Sequence, residues 1–218
     1  MFLNFKYAWY LAALTTFAGI IATLLVDPGT VVSIHWNSAG AADGFAPAHI
    51  AFFIIPLAQV ITLLVFSALK YLEPRQENLE ASIKAVKAMA IGVTGILVLA
   101  QSMIIGSAFG IPIVGPKVTI GGIGLLIAVM GNYFGKLKSS FFIGIRTPWT
   151  LSSETVWRKT HRLGGRLFML AGIILLVATP FVHMETLTLL IMFTVVPATV
   201  ISIVYSYILW RQERNQDV

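Results

Sequence analysis

The sequence contains no cysteine, which excludes disulfides, thiolate metal sites and cysteine nucleophiles. It is also poor in charge: Asp, Glu, Lys and Arg make up 11 % of the residues, against roughly 25 % in an ordinary globular protein. Acidic residues are the scarcer sign, 9 against 15 Lys and Arg, for a formal charge of +6. No Gly-rich phosphate loop, His–carboxylate metal motif or nucleophile elbow is present. The sequence therefore calls for no cofactor, no metal and no catalytic residue.

What fills the space is apolar: 57 % of the chain is hydrophobic and the mean hydropathy is +0.86. That rules out a soluble enzyme, a disordered chain and a nucleic-acid-binding domain. Six apolar stretches stand out, at residues 9–26, 48–69, 88–109, 118–134, 167–182 and 187–210. Hydrocarbon has no water to satisfy backbone groups, so each must be a helix. The expected fold is an all-α integral membrane protein with six transmembrane helices. The first run follows Lys6 and has no small-residue cleavage pattern, so it reads as a retained span. Gly121, Gly122, Gly124 and Gly131 in the fourth span favour close helix contact, and Pro56 and Pro197 are expected to kink the second and sixth.

None of the spans carries Asp, Glu, Lys or Arg in its interior, which argues against proton-coupled pumping. Gln59, Gln101 and Ser102 are the most polar interior groups, and interhelical hydrogen bonding accounts for them. Charge also sets orientation. With six spans, every Lys and Arg except Lys117 falls on one side, and the positive-inside rule makes that side the cytoplasm, with both termini in it. The single membrane domain then divides into 1–84 (two spans and an external loop), 85–134 (spans three and four) and 135–218 (a cytoplasmic segment and the last two spans).

Two polar segments remain. The external one contains His35, Trp36, Asn37, Gly40, Asp43 and Gly44; its glycines and Asp43 favour turns, and its aromatic and hydrogen-bonding groups make a small recognition surface. His35, Asp43 and His49 are metal-ligating residue types, but their spacing fits no ligand signature. The cytoplasmic segment is denser. Pro148 favours an extended Thr147, and a helix is expected from near Ser152, with Glu154 in its first turn paired to Arg158. Arg158, Arg162 and Arg166 would form one basic stripe, with Trp157 and His161 on a neighbouring face. Such a helix suits the anionic inner leaflet or a protein-docking surface. Arg146, pinned by Thr147-Pro148-Trp149, is expected to fork onto a carboxylate or stack on Trp149 or Trp157.

Taken together, His35-Trp36-Asn37-x-x-Gly40-x-x-Asp43-Gly44, Gly-Asn-Tyr at 131–133, Gly-Ile-Arg-Thr-Pro-Trp-Thr-Leu at 144–151 and Val-Trp-Arg-Lys-Thr-His-Arg-Leu-Gly-Gly at 156–165 resemble the SdpI family of prokaryotic multi-pass membrane proteins. Ser33, Gly135 and the Ser139-Ser140 pair depart from the family's usual residues. The resemblance implies immunity to a secreted killing peptide and signalling by holding a cytoplasmic repressor at the cell membrane. It implies recognition by the external element, and by Asn132, Arg146, Thr147, Pro148, Trp149, Glu154, Trp157, Arg158, Lys159, His161 and Arg162 on the cytoplasmic side. The expected partners are membrane lipids, a toxin peptide and a repressor, with no direct nucleic-acid contact. Two other functions compete: an enzyme acting on a lipid or phosphorylated headgroup through Arg146, Glu154, His161 and Arg162, and a facilitator of a neutral or amphipathic solute.

Overall fold

The computed structural model describes residues 4–111 and 114–216. Six of its helices are long and apolar enough to cross a membrane: α1 (Lys6–Leu25), α2 (Ala48–Leu72), α4 (Ile83–Ala108), α5 (Pro116–Phe134), α7 (Glu154–Ala178) and α8 (Met184–Gln216). Two short helices, α3 (Gln76–Ala81) and α6 (Pro148–Ser152), lie in the connections. Proline marks several starts: Pro116 and Pro148 occupy first turns, where a missing N–H costs nothing. Both α2 and α8 stay helical through Pro56 and Pro197.

The fold is not purely helical. Val31–Trp36 (β1) and Ala42–Pro47 (β2) pair antiparallel into a hairpin between α1 and α2. Val32 is buried against the ends of the first helices, and the Ser33 N–H bonds the Ser107 hydroxyl at the end of α4. Two register irregularities flank His35, so this strand is bulged as well as short.

The helices form two groups. α1, α2 and α4 pack on one another; α7 packs on α5 and α8; α4 and α5 join the groups. In the first group Gln59 Nε2 donates to the Thr94 carbonyl (3.2 Å) and Gln101 Nε2 to that of Phe52 (3.0 Å), both buried, so these amides do tie helices together. Ser102 satisfies itself on the Val98 carbonyl one turn back. The second group rests on glycine. A Cβ added at Gly124, Gly131, Gly165 or Gly172 would lie under 3.0 Å from backbone atoms of the facing helix. At Gly122 the obstacles would be Ile96 and Leu99 of α4. The glycine-rich span is therefore the tightest helix contact, as small residues permit where apolar burial gives no driving force.

One boundary differs from the sequence expectation. The helix after Ser152 and the fifth span are a single helix, α7, N-capped by Ser153, whose hydroxyl accepts the Val156 N–H. Gly164-Gly165 does not interrupt it, because those glycines seat Ile145, Ser202 and the Gly131 backbone. Arg158, Arg162 and Arg166 consequently stand on the end of a spanning helix, not on one lying along the leaflet.

Candidate functional site

Two clusters of polar chemistry sit at opposite ends of the helices, and the hairpin end is the simpler. Asn37 Oδ1 accepts the Ala39 and Ala41 N–H groups (3.0 and 3.1 Å), and Gly40 takes a positive φ of 80° with its N–H on the Asn37 carbonyl. A Cβ on Gly44 would meet the His35 side chain at 2.8 Å. Asn37, Gly40 and Gly44 therefore build the turn. His35 and Asp43 face each other across the strands, Nδ1 to Oδ1 at 2.5 Å, and both remain exposed. Trp36 is half-buried and lines an open cleft of about 420 Å³ with Met103, Ser107, Ile111 and Pro116. His49 does not join the pair: among the described residues no three His, Asp or Glu are grouped as metal ligands.

The opposite end carries the basic residues. Its centre is a carboxylate that belongs to no motif of the sequence. Glu73, the residue after α2, is only 1 % exposed. Its Oε2 accepts the Ser140 hydroxyl (2.5 Å) and the Phe141 N–H (2.9 Å), with the Phe142 N–H at 3.3 Å, while Oε1 takes the Arg75 N–H. Arg75 in turn donates to the Ser139 hydroxyl and the Leu151 carbonyl and lies over the Phe141 ring, 4.7 Å from its centroid. Glu73 and Arg75 thus clasp the loop 139–142 and the α6 end to α2. The departing pair Ser139-Ser140 supplies two of the hydroxyls in that clasp.

Next to it the Gly144–Arg166 motif folds upon itself. The His161 ring is buried and stacked on Trp157, centroids 3.9 Å apart. Its Nε2 accepts the Ile145 N–H (2.9 Å), which requires the proton on Nδ1, where it is donated to the Trp157 carbonyl (2.9 Å). Trp157 Nε1 donates to Leu137. Gly144 passes over both rings with φ 109°, and a Cβ there would press on the Trp157 ring at 3.0 Å. Thr147 caps α6 through reciprocal bonds with Thr150, and Trp149 Nε1 reaches the Ser206 hydroxyl while its ring meets Tyr207 edge-on at 5.3 Å. Pro148, in the first turn of α6, is exposed.

These contacts correct two expectations. Arg146 neither forks onto a carboxylate nor stacks on a tryptophan; it is exposed and gives one bond, Nη1 to the Phe141 carbonyl at 2.9 Å. The clasping arginine is Arg75, because the buried carboxylate and the ring it needs are on that side of the loop. Glu154 and Arg158 are both exposed and do not close an ion pair within 4.0 Å, as water competes well at a helix end. Asn132, Lys159 and Arg162 are exposed as well, so His161 is not brought together with Arg146, Glu154 or Arg162 on an open surface. Both ring nitrogens of His161 are spent inside the fold, which leaves it no proton to exchange with a ligand in this arrangement.

Comparison with known proteins supplies the kinship. The family model described as the SdpI/YfhL protein family matches residues 136–206, the segment containing the His161 cluster. The immunity protein SdpI of Bacillus subtilis (strain 168) is 30 % identical over 178 residues, covering 81 % of this chain and 82 % of its own. No solved structure matches. The match to SdpI extends far beyond the family-model segment, and the apolar spans agree with a multi-pass protein of the cell membrane: the chain belongs to the SdpI family.

Proposed function

We propose that this protein is an immunity protein of the cell membrane, protecting the cell that makes it from a secreted killing peptide without catalysing a reaction. The observation that carries this is the similarity to immunity protein SdpI along four-fifths of both chains, 81 % and 82 %. On this reading the basic end and both termini are cytoplasmic, following the Lys and Arg distribution, and the hairpin end is external. The exposed His35–Asp43 pair and the Trp36 cleft then face the side from which a peptide arrives. An apolar cleft next to a hydrogen-bonded His–Asp pair suits a peptide with both apolar and polar groups. At the other end the exposed Arg146, Arg158 and Lys159 offer a surface to a cytoplasmic repressor.

The test is protection: peptide-sensitive cells expressing the chain are exposed to the killing peptide countered by the family's namesake, and survival is scored against an empty vector. Protection by the wild type, reduced at matched membrane levels by combined His35→Ala, Trp36→Ala and Asp43→Ala substitutions, is expected. Full protection by that triple variant would move peptide contact into the bundle.

A further inference from the structure

Where α5 ends beside α7, the close glycine contact opens into a cleft of about 290 Å³. Its floor is backbone at Gly131 and Gly165, and its rim is cationic: Lys136 from the α5 side, Arg162 and Arg166 from α7. All three cations are exposed. Among the described residues neither arginine has a hydrogen-bond or ion-pair partner, and Lys136 has only the Asn132 amide oxygen at 3.5 Å and the Tyr133 ring. Three positive groups converging on one concavity without a carboxylate repel one another, so the arrangement favours an anion between them.

The surroundings say which anion. Arg162, Arg166, Met169 and Ile173 follow one another at helical spacing on α7 and form one stripe. The stripe changes from cation to exposed apolar side chain between Arg166 and Met169, with Met169 38 % and Ile173 44 % exposed. A free phosphate would use only the upper half of this stripe. A molecule with a phosphate above and acyl chains below uses all of it.

We propose that this cleft is a binding site for an anionic phospholipid, with the headgroup phosphate held by Lys136, Arg162 and Arg166 and an acyl chain lying along Met169 and Ile173. The site is separate from the hairpin end and requires no assumption about which side of the membrane it faces. It would fasten the junction of α5 and α7, where the packing is tightest.

The full-length chain in detergent is titrated with phosphatidylglycerol and bound lipids are counted by native mass spectrometry. Phosphatidylcholine and inorganic phosphate serve as comparison ligands. The wild type is expected to retain one phosphatidylglycerol in preference to phosphatidylcholine. Arg162→Gln with Arg166→Gln should weaken that retention about tenfold or more, each cation near a lipid surface being worth roughly a fivefold change. Arg211→Gln with Arg214→Gln removes equal charge from the same end and should leave it unchanged, and Arg162→Lys with Arg166→Lys should recover most of it. Equal losses from both glutamine pairs would overturn the proposal in favour of diffuse attraction. Equal retention of phosphatidylcholine, or binding of inorganic phosphate as tight as that of lipid, would overturn it as well.

Discussion

At the residue scale the two arginines that bond the 139–151 segment, Arg75 and Arg146, have exchanged the importance that motif reading gives them. Arg75 uses both arms of its guanidinium and a ring face, a geometry that an ammonium cannot copy. Arg146 makes one bond to a carbonyl from an exposed position. Arg75→Lys should therefore lower the melting temperature of the purified protein by several degrees, while Arg146→Lys leaves it within error. Glu73 sets a larger effect. Its replacement by Ala leaves the Ser140 hydroxyl and the Phe141 N–H without their acceptor, at about 1–3 kcal/mol for an unsatisfied group, while the Phe142 N–H keeps the Ser140 hydroxyl. Thermal unfolding in detergent should show Glu73→Ala as the most destabilised of these variants. A melting temperature equal to wild type would mean that the clasp contributes nothing to stability. Neither Glu73 nor Arg75 was legible in the sequence, because Glu73-Pro74-Arg75 has no motif and its partners lie more than 60 positions away. The Asn37–Gly40 turn was legible, since Asn and Gly form turns by local chemistry.

At the scale of elements, legibility followed the range of the forces involved. The six spans could be read from hydropathy alone, since a membrane imposes one answer on each apolar run. The hairpin could not: its alternation over Val31–Trp36 is short, bulged and embedded in a polar stretch, and only packing on α4 reveals which face is buried. Nor could the continuity of α7, because the apolar run of the fifth span starts only at residue 167, behind a charged stretch that hydropathy does not join to it. The glycine contact between α5 and α7 yields a sharp expectation. Gly131→Val or Gly172→Val forces branched atoms into facing backbone and should abolish monodisperse folded protein on size exclusion, whereas Gly95→Ala, which meets nothing within 4 Å, should be silent. Normal elution of the valine variants would show that α5 and α7 are not held this closely.

The whole molecule has a polar assembly at each end of an apolar body. β2 leads directly into α2, and α2 ends at Glu73, so one rod joins the hairpin to the clasp at the opposite end. The Thr188 hydroxyl to the Ser38 carbonyl (3.4 Å), and Gly40 against the Met184 side chain, bring the start of α8 to the hairpin end too. Accessibility labelling should accordingly find positions 41 and 184 on one side of the membrane. Both termini and residues 139–140 should lie on the other, the side carrying every Lys and Arg but Lys117. Labelling of the C-terminus together with position 41 would refute the six-span arrangement.

Immunity conferred by this bundle is read as survival. Sensitive cells carrying the wild-type gene, challenged with the killing peptide over a dilution series, should survive at concentrations that kill the vector control. The combined His35, Trp36 and Asp43 variant should fall between the two at equal membrane abundance. Killing of wild-type expressers at the same concentration as the vector control, with the protein correctly inserted, would show that the bundle does not confer immunity to this peptide.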